Sequence, residues 1–266
     1  MENKKLTYHL VSIVRLYLYE LQEIYYYQED THKFFTKTYS INLDKDGPWY
    51  EIFKDMDKRS LAKRDDQLFK MIIVSCLSIF EAFNKDFFKI LYSLRPENLK
   101  RKAKVDLNFE ELIEFSSMEV LFEELAMREV DQFGRLSIDQ IAKELEKKHK
   151  INLTKDFKKW KPLRENYYRR NIIVHNRGKM SKDYIEKFED NQVNNIGKEL
   201  DLSFDYVEGC ISNVWDYIKF ILKKLGVKYK LKIDYQKIDD FDLPLSFLFG
   251  MDPRSPEWDS FKKEIE

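Results

Sequence analysis

Apolar positions recur at steps of three and four along most of the chain, the spacing that lines one face of an α-helix. Leu6, Leu10, Ile13, Tyr17, Leu21 and Ile24 form one such stripe. It predicts a first helix over residues 6–39, with an aromatic-rich far end. Phe69, Ile73, Cys76, Phe80, Phe83, Phe87 and Ile90 predict a second over 65–93, and Phe204, Val207, Ile211, Val214, Ile218, Leu222 and Leu225 a last one over 204–225. Between them, Ser116-Ser117-Met118-Glu119 and Ser137-Ile138-Asp139-Gln140 resemble capping boxes, in which Ser and Glu or Gln side chains satisfy orphan amides at a helix start. They open expected helices near 117–133 and 138–148. Thr154 is expected to cap a further helix through Trp160 to about Asn176. Pro162 fits a first turn, which leaves a later start open, and Gly178 is a natural stop. Residues 40–49, with Asp46-Gly47-Pro48, read as a loop, and Arg95-Pro96 ends the second helix.

After Gly226 the period changes. Val227, Tyr229, Leu231, Ile233 and Tyr235 alternate with Lys228, Lys230, Lys232 and Asp234, which predicts a short strand. Residues 239–266 are acidic, contain Pro244, Pro253 and Pro256, and read as a tail docked by Phe247, Phe249 and Trp258. The expected organisation is an all-α domain over 1–226, with a helical insertion at about 95–150, followed by a strand and tail over 227–266 packed on it. Composition supports helices: the 266 residues include only 7 Gly and 6 Pro, where average usage is about 7% and 5%. No apolar run approaches the roughly 18 residues of a membrane span. The early apolar stretch is interrupted by His9, Arg15 and Glu20, unlike a signal peptide. Cys76 and Cys210 sit in apolar helical patterns and read as free buried thiols, so a cytoplasmic protein is expected.

Charge changes this picture locally. The chain balances at 47 basic and 47 acidic residues, yet residues 143–182 hold 14 Lys or Arg against 4 Asp or Glu, a local net of +10. Residues 106–131 carry nine acidic side chains opposed only by Arg128. A strongly basic segment in a neutral chain attracts a polyanion locally; a solvated basic helix paired with the acidic segment is the plainer alternative. Inside the basic segment lies Arg169-Arg170-Asn171-Ile172-Ile173-Val174-His175-Asn176-Arg177-Gly178. At about 100° per residue, Asn171 and His175 share a helix face, and Arg170 lies roughly 140° from His175, a gap that a long arginine stem narrows. An imidazole that exchanges protons near neutrality beside a guanidinium is chemistry suited to a phosphodiester. The four histidines show no zinc-ligand spacing, and no Gly-rich phosphate loop or GxSxG elbow occurs. No metal or cofactor is expected.

The stretch Leu163-Arg164-Glu165-Asn166-Tyr167-Tyr168-Arg169-Arg170-Asn171-Ile172-Ile173-Val174-His175-Asn176-Arg177-Gly178 resembles the signature of HEPN-domain ribonucleases, an Arg followed after four to six residues by His, often with Asn next to the Arg. Tyr184 is similar to a tyrosine frequent a few residues after the glycine. Ser78-Ile79-Phe80-Glu81-Ala82-Phe83 resembles an earlier helix of the family, where an acidic residue stands among aromatics. The resemblance spans about residues 60–225.

It implies a HEPN-like antiparallel helical bundle and a metal-independent endoribonuclease, in which the RNA 2′-hydroxyl attacks the adjacent phosphate to leave a 2′,3′-cyclic phosphate. His175 is then the general acid or base, Arg170 the phosphate ligand, and Asn171 an orienting group. Glu81 would pair with and position Arg170 or another basic group; a glutamate snorkelling at the surface is the equal alternative. Arg169, Arg177, Lys179 and Tyr184 are expected RNA contacts. One histidine per motif implies a homodimer with a composite site. The family context implies a prokaryotic toxin or anti-phage defence effector, with an antitoxin or defence-system partner. The alternative is a non-catalytic HEPN-like module that binds a nucleotide or protein. A histidine at a helix end also suits the helix dipole, and Arg170 is also a candidate surface ion-pair partner for Glu165 or another acidic group.

Overall fold

The computed structural model describes residues 2–40, 58–99, 109–133, 135–188, 193–241, 251 and 254–265. They are all-α, with no strand among them. The helices are α1 (Glu2–Ser40), α2 (Lys58–Leu94), α3 (Phe109–Glu114), α4 (Met118–Phe133), α5 (Ile138–Glu144, continued by the π-helical turn Leu145–His149), α6 (Leu153–Asp156), α7 (Trp160–Asn176), α8 (Lys182–Phe188), α9 (Phe204–Tyr229) and α10 (Pro256–Ile265). Most of the expected loop at 40–49, and Phe247 and Phe249 of the expected tail, lie outside the described residues.

The chain divides into two compact units. The first holds Met1–Tyr19, Ile79–Trp160 and Asp216–Glu266. Its centre is aromatic: Tyr17 meets Phe83 edge-on with centroids 5.8 Å apart, and Phe80 lies 4.8 Å from Tyr217. Burial of these rings supplies the apolar driving force, and their hydroxyls find partners. Tyr217 donates to Asn84 Oδ1 at 2.6 Å and Tyr17 to Asp86 Oδ2 at 2.5 Å. Lys148 of the basic segment pairs with Glu129 of the acidic one. In the tail, α10 buries Trp258, whose ring is 6.4 Å from Tyr8.

The second unit holds Glu20–Ser78 and Lys161–Trp215. Leu68, Phe69, Ile72 and Ile73 of α2 are buried, as are Leu163 and Tyr167 of α7 and Val207, Ile211 and Val214 of α9. Ile172 of α7 and Tyr184, Ile185 and Leu200 beyond it form a compact apolar cluster. That cluster is closed by backbone bonds from Met180 N to Lys198 O (2.8 Å) and Leu200 N to Gly178 O (2.9 Å), which bring residues 178–180 beside 198–200.

Two expectations need correction. The strand over 227–235 does not form. Instead α9 runs through Gly226 to Tyr229 and ends at Lys230, whose φ is 54°. Leu231 N bonds to Gly226 O at 2.8 Å and Lys230 N to Val227 O at 3.3 Å, the paired closure of a Schellman stop. Gly226 is therefore not the helix terminator; a Cβ there would sit 1.7 Å from Tyr235 Oη, so the absent side chain makes room for the Tyr235 ring. The second correction concerns residues 153–176, which form two helices. Asn152, not Thr154, caps the short α6 by accepting from Lys155 N at 3.1 Å. The longer α7 begins at Trp160 with Pro162 in its first turn, where a missing N–H costs nothing.

Candidate active site

α7 is anchored through its polar core positions as well as its apolar ones. Asn213 Nδ2 donates to Asn166 Oδ1 at 2.8 Å, and Asn166 Nδ2 donates to Tyr206 Oη at 2.7 Å. Buried amides without such partners would destabilise the fold, so this ladder sets the rotation of α7 against α9. One turn later, Arg169 Nε donates to Glu165 Oε1 at 2.8 Å and to Tyr184 Oη at 2.9 Å, and Nη1 reaches the Asp201 carbonyl at 2.9 Å. The Arg169 guanidinium also lies 4.2 Å from the centroid of the Tyr206 ring. Burial works against its charge, but Tyr206, Tyr184 and Glu165 outweigh that and hold its pKa above the ordinary value. Burial drives the Tyr184 hydroxyl well above the usual phenol range, with Glu165 adding to it against Arg169.

Arg169 is thus an ion-pair partner of Glu165. The pair stands at the i,i+4 spacing that places side chains on one helix face. This leaves Arg170 on another face of α7. It is half-buried, and its Nη1 donates to Asn171 Oδ1 at 3.1 Å. Asn171 accordingly holds the guanidinium. His175 is exposed in the last turn of α7. Arg177 and Lys179 are exposed just beyond it.

The stop after His175 is tightly built. Arg177 and Gly178 adopt φ of 54° and 77°, Gly178 N bonds to Ile172 O at 3.1 Å, and Asn176 Nδ2 donates to Lys179 O at 2.9 Å. A Cβ on Gly178 would lie 3.1 Å from Lys70 Cε and 3.3 Å from Nζ. The Lys70 ammonium therefore packs against the turn that follows the motif, and Asp66 holds it at 2.5 Å. A cation beside a helix C-terminus is electrostatically favoured. Lys70 and Asp66 were not visible as site residues in the sequence, because i,i+4 acid–base pairs are common on any charged helix.

Of the expected residues, Arg170, Asn171, His175, Arg177 and Lys179 lie at the exposed end of α7 and the turn after it. Arg169 and Tyr184 are also close to the motif, but their polar groups face each other and Tyr184 is 1% exposed, so its ring offers no stacking surface. Glu81 is half-buried on α2 within the first unit, whereas the others belong to the second. Among the described residues, no group of three or more His, Cys, Asp and Glu side chains is placed to hold a metal ion. No helix among them is long and apolar enough to cross a membrane. Compared with known proteins, the chain matches no family model, no curated protein and no solved structure.

Proposed function

We propose that the protein is a metal-independent endoribonuclease whose chemistry is carried by Arg170 and His175. The observation that supports this most directly is the exposed imidazole of His175 one turn after Asn171, which itself holds the Arg170 guanidinium at 3.1 Å. In the proposed reaction the RNA 2′-oxygen attacks the neighbouring phosphorus and the bond to the 5′-oxygen breaks. The 2′-hydroxyl proton leaves to a base and the departing 5′-oxygen receives one from an acid. His175 serves as one of these, a role worth roughly 10²–10⁴ in rate. Arg170 binds the phosphate and stabilises the charge that grows on its oxygens. Arg177 and Lys179 hold flanking phosphates. Arg169 and Tyr184 support the site by bracing α7 instead of touching RNA. A homodimer supplies the second histidine, so one acts as base and the other as acid. A prokaryotic toxin or anti-phage defence role, with a cognate antitoxin or defence partner in the cytoplasm, is the setting this activity suits.

The test is cleavage of single-stranded RNA by purified protein in excess EDTA. The parent should cut and leave cyclic-phosphate ends; Arg170→Ala and His175→Ala should each abolish cutting with helical content retained, and Asn171→Ala should weaken it less. Equal cleavage by parent and His175→Ala, or a strict requirement for added metal, would refute the mechanism. RNA binding that persists in His175→Ala, with no cleavage by the parent, would instead assign a non-catalytic binding module.

A further inference from the structure

Arg164, Tyr168, Asn171 and His175 follow one another at steps of four, three and four. At about 100° per residue these positions fall within roughly 60° of each other, so they form one stripe along α7 that ends at the exposed histidine. The stripe continues onto α8. The Lys187 ammonium lies 4.5 Å from the centroid of the Tyr168 ring, and the Arg164 guanidinium lies 5.5 Å from the same ring and 5.1 Å from that of Phe188. Phe188 and Tyr168 lie with centroids 5.2 Å apart, and both pack, partly buried, on the cluster of Ile172, Tyr184, Ile185 and Leu200. Two cations thus converge on one aromatic pair that the core holds in place.

We propose that Arg164, Tyr168 and Lys187 form a single-stranded RNA subsite that binds a nucleobase and its phosphate upstream or downstream of the cleaved bond. The inference rests on the ribonuclease reading, because the stripe gains its meaning from His175. A guanidinium laid over aromatic rings is a platform on which unpaired bases stack, and stacking tolerates every base. Lys187 is 32% exposed and pairs at 2.5 Å with Asp183, which is 62% exposed, an ion pair that a phosphate can displace. Length fits as well. Tyr168 lies seven residues before His175, about 10 Å along the helix axis. At roughly 3.4 Å per stacked nucleotide, that is about three nucleotides from the scissile phosphate. The subsite therefore acts on longer RNA and adds little for a substrate that only fills the catalytic position.

The experiment measures binding of 2′-O-methyl oligoribonucleotides, which cannot be cut, by fluorescence anisotropy. Parent, Arg164→Met, Tyr168→Leu and Lys187→Met are compared on a trinucleotide and a decanucleotide, alongside cleavage of the matching unmodified RNAs. Each variant should bind the decanucleotide about fivefold to a hundredfold more weakly, with little penalty on the trinucleotide. Lys187→Met should also flatten the salt dependence by about one phosphate contact. Lys187 sits at the surface, so its variant tests the subsite even if Arg164→Met or Tyr168→Leu unfolds. A parent that cuts RNA while all folded variants bind and cut the decanucleotide as it does would overturn the subsite and leave the ribonuclease reading standing. A parent that neither binds nor cuts RNA overturns both.

Discussion

Tyr184 donates its hydroxyl to Glu165 Oε1 at 2.9 Å, the same oxygen that accepts from Arg169 Nε at 2.8 Å. The three groups close a triangle that ties α8 to the middle of α7, and the Asp201 carbonyl extends it towards the start of α9. Removing one buried hydroxyl from such a network forfeits its hydrogen bonds and leaves partners unsatisfied. Tyr184→Phe is expected to lower unfolding stability by about 1–2 kcal/mol, and Arg169→Met by more, because bonds to charged groups are the stronger ones. Urea unfolding with an unchanged slope and a shifted midpoint is the measurement. An unshifted midpoint for Tyr184→Phe would show that the triangle does not brace α7.

The same tyrosine makes a prediction about alkali. Burial raises Tyr184, Tyr206 and Tyr217 above the ordinary value of 10.0, so the folded state keeps their protons where the unfolded chain releases them. The stability they contribute is complete below pH 10 and is lost as pH rises above it towards the folded values. Stability should therefore fall steadily above about pH 10, and phenolate absorbance from these residues should appear together with the loss of helical signal. Tyr184→Phe should make that fall shallower. Full phenolate absorbance in protein that is still folded would contradict the burial of these rings.

Gly226 and Tyr235 make a coupled pair. In an isolated helix, Gly→Ala gains about 1 kcal/mol. At position 226 the new methyl would enter the space of Tyr235 Oη, 1.7 Å from an ideal Cβ. Gly226→Ala alone should thus destabilise by about 1–2 kcal/mol, while in a Tyr235→Ala background the same change should stabilise. A thermal double-mutant cycle reads the sign reversal directly. Gly226→Ala stabilising in both backgrounds would mean that the ring does not lie across the helix.

Cys76 and Cys210 are both free and buried, and burial together with the neighbouring Cys210 thiol raises Cys76 well above the ordinary thiol value. A thiol that is protonated and shielded is a poor nucleophile. Maleimide should leave native protein unlabelled and add two labels after denaturation, as followed by intact mass. Rapid labelling of the native protein would place at least one thiol at the surface.

The helices were legible where burial is one-sided. The stripes from Leu6 to Ile24 and from Phe69 to Ile90 mark α1 and α2, because an amphipathic helix has a period that propensity noise rarely imitates. Termini were harder. Asn152 and Thr154 are both good caps two residues apart, and only the fold decides that Asn152 accepts from Lys155 while Thr154 donates to Asn152 at 2.7 Å. The alternation over 227–235 imitated a strand because it mixes the last turn of a helix with a turn-rich segment, and Gly226, inside the helix, admits the Tyr235 ring. At the candidate site, the order of Arg170, Asn171 and His175 on α7 followed from spacing alone. The division of labour between Arg169 and Arg170 did not, because it depends on Tyr184 and Asp201 from the segment after the helix. Lys70 and Asp66 reach the motif from α2, a proximity that no local pattern records.

The proposed dimer can be tested by dilution with an inactive chain. One exposed imidazole at the end of α7 serves as acid or as base, and cleavage needs both, so two motifs would have to meet across a two-fold axis. Parent and His175→Ala chains are refolded together in varied ratios, and cleavage is measured at constant total protein. With a composite site every mixed dimer is inactive, so an equal mixture should retain about a quarter of the parent rate under random pairing. A self-contained site would retain about half, since each parent chain works alone. Sedimentation at the assay concentration gives the second arm: a monomer that cuts RNA at the full rate excludes the composite site whatever the mixing curve shows.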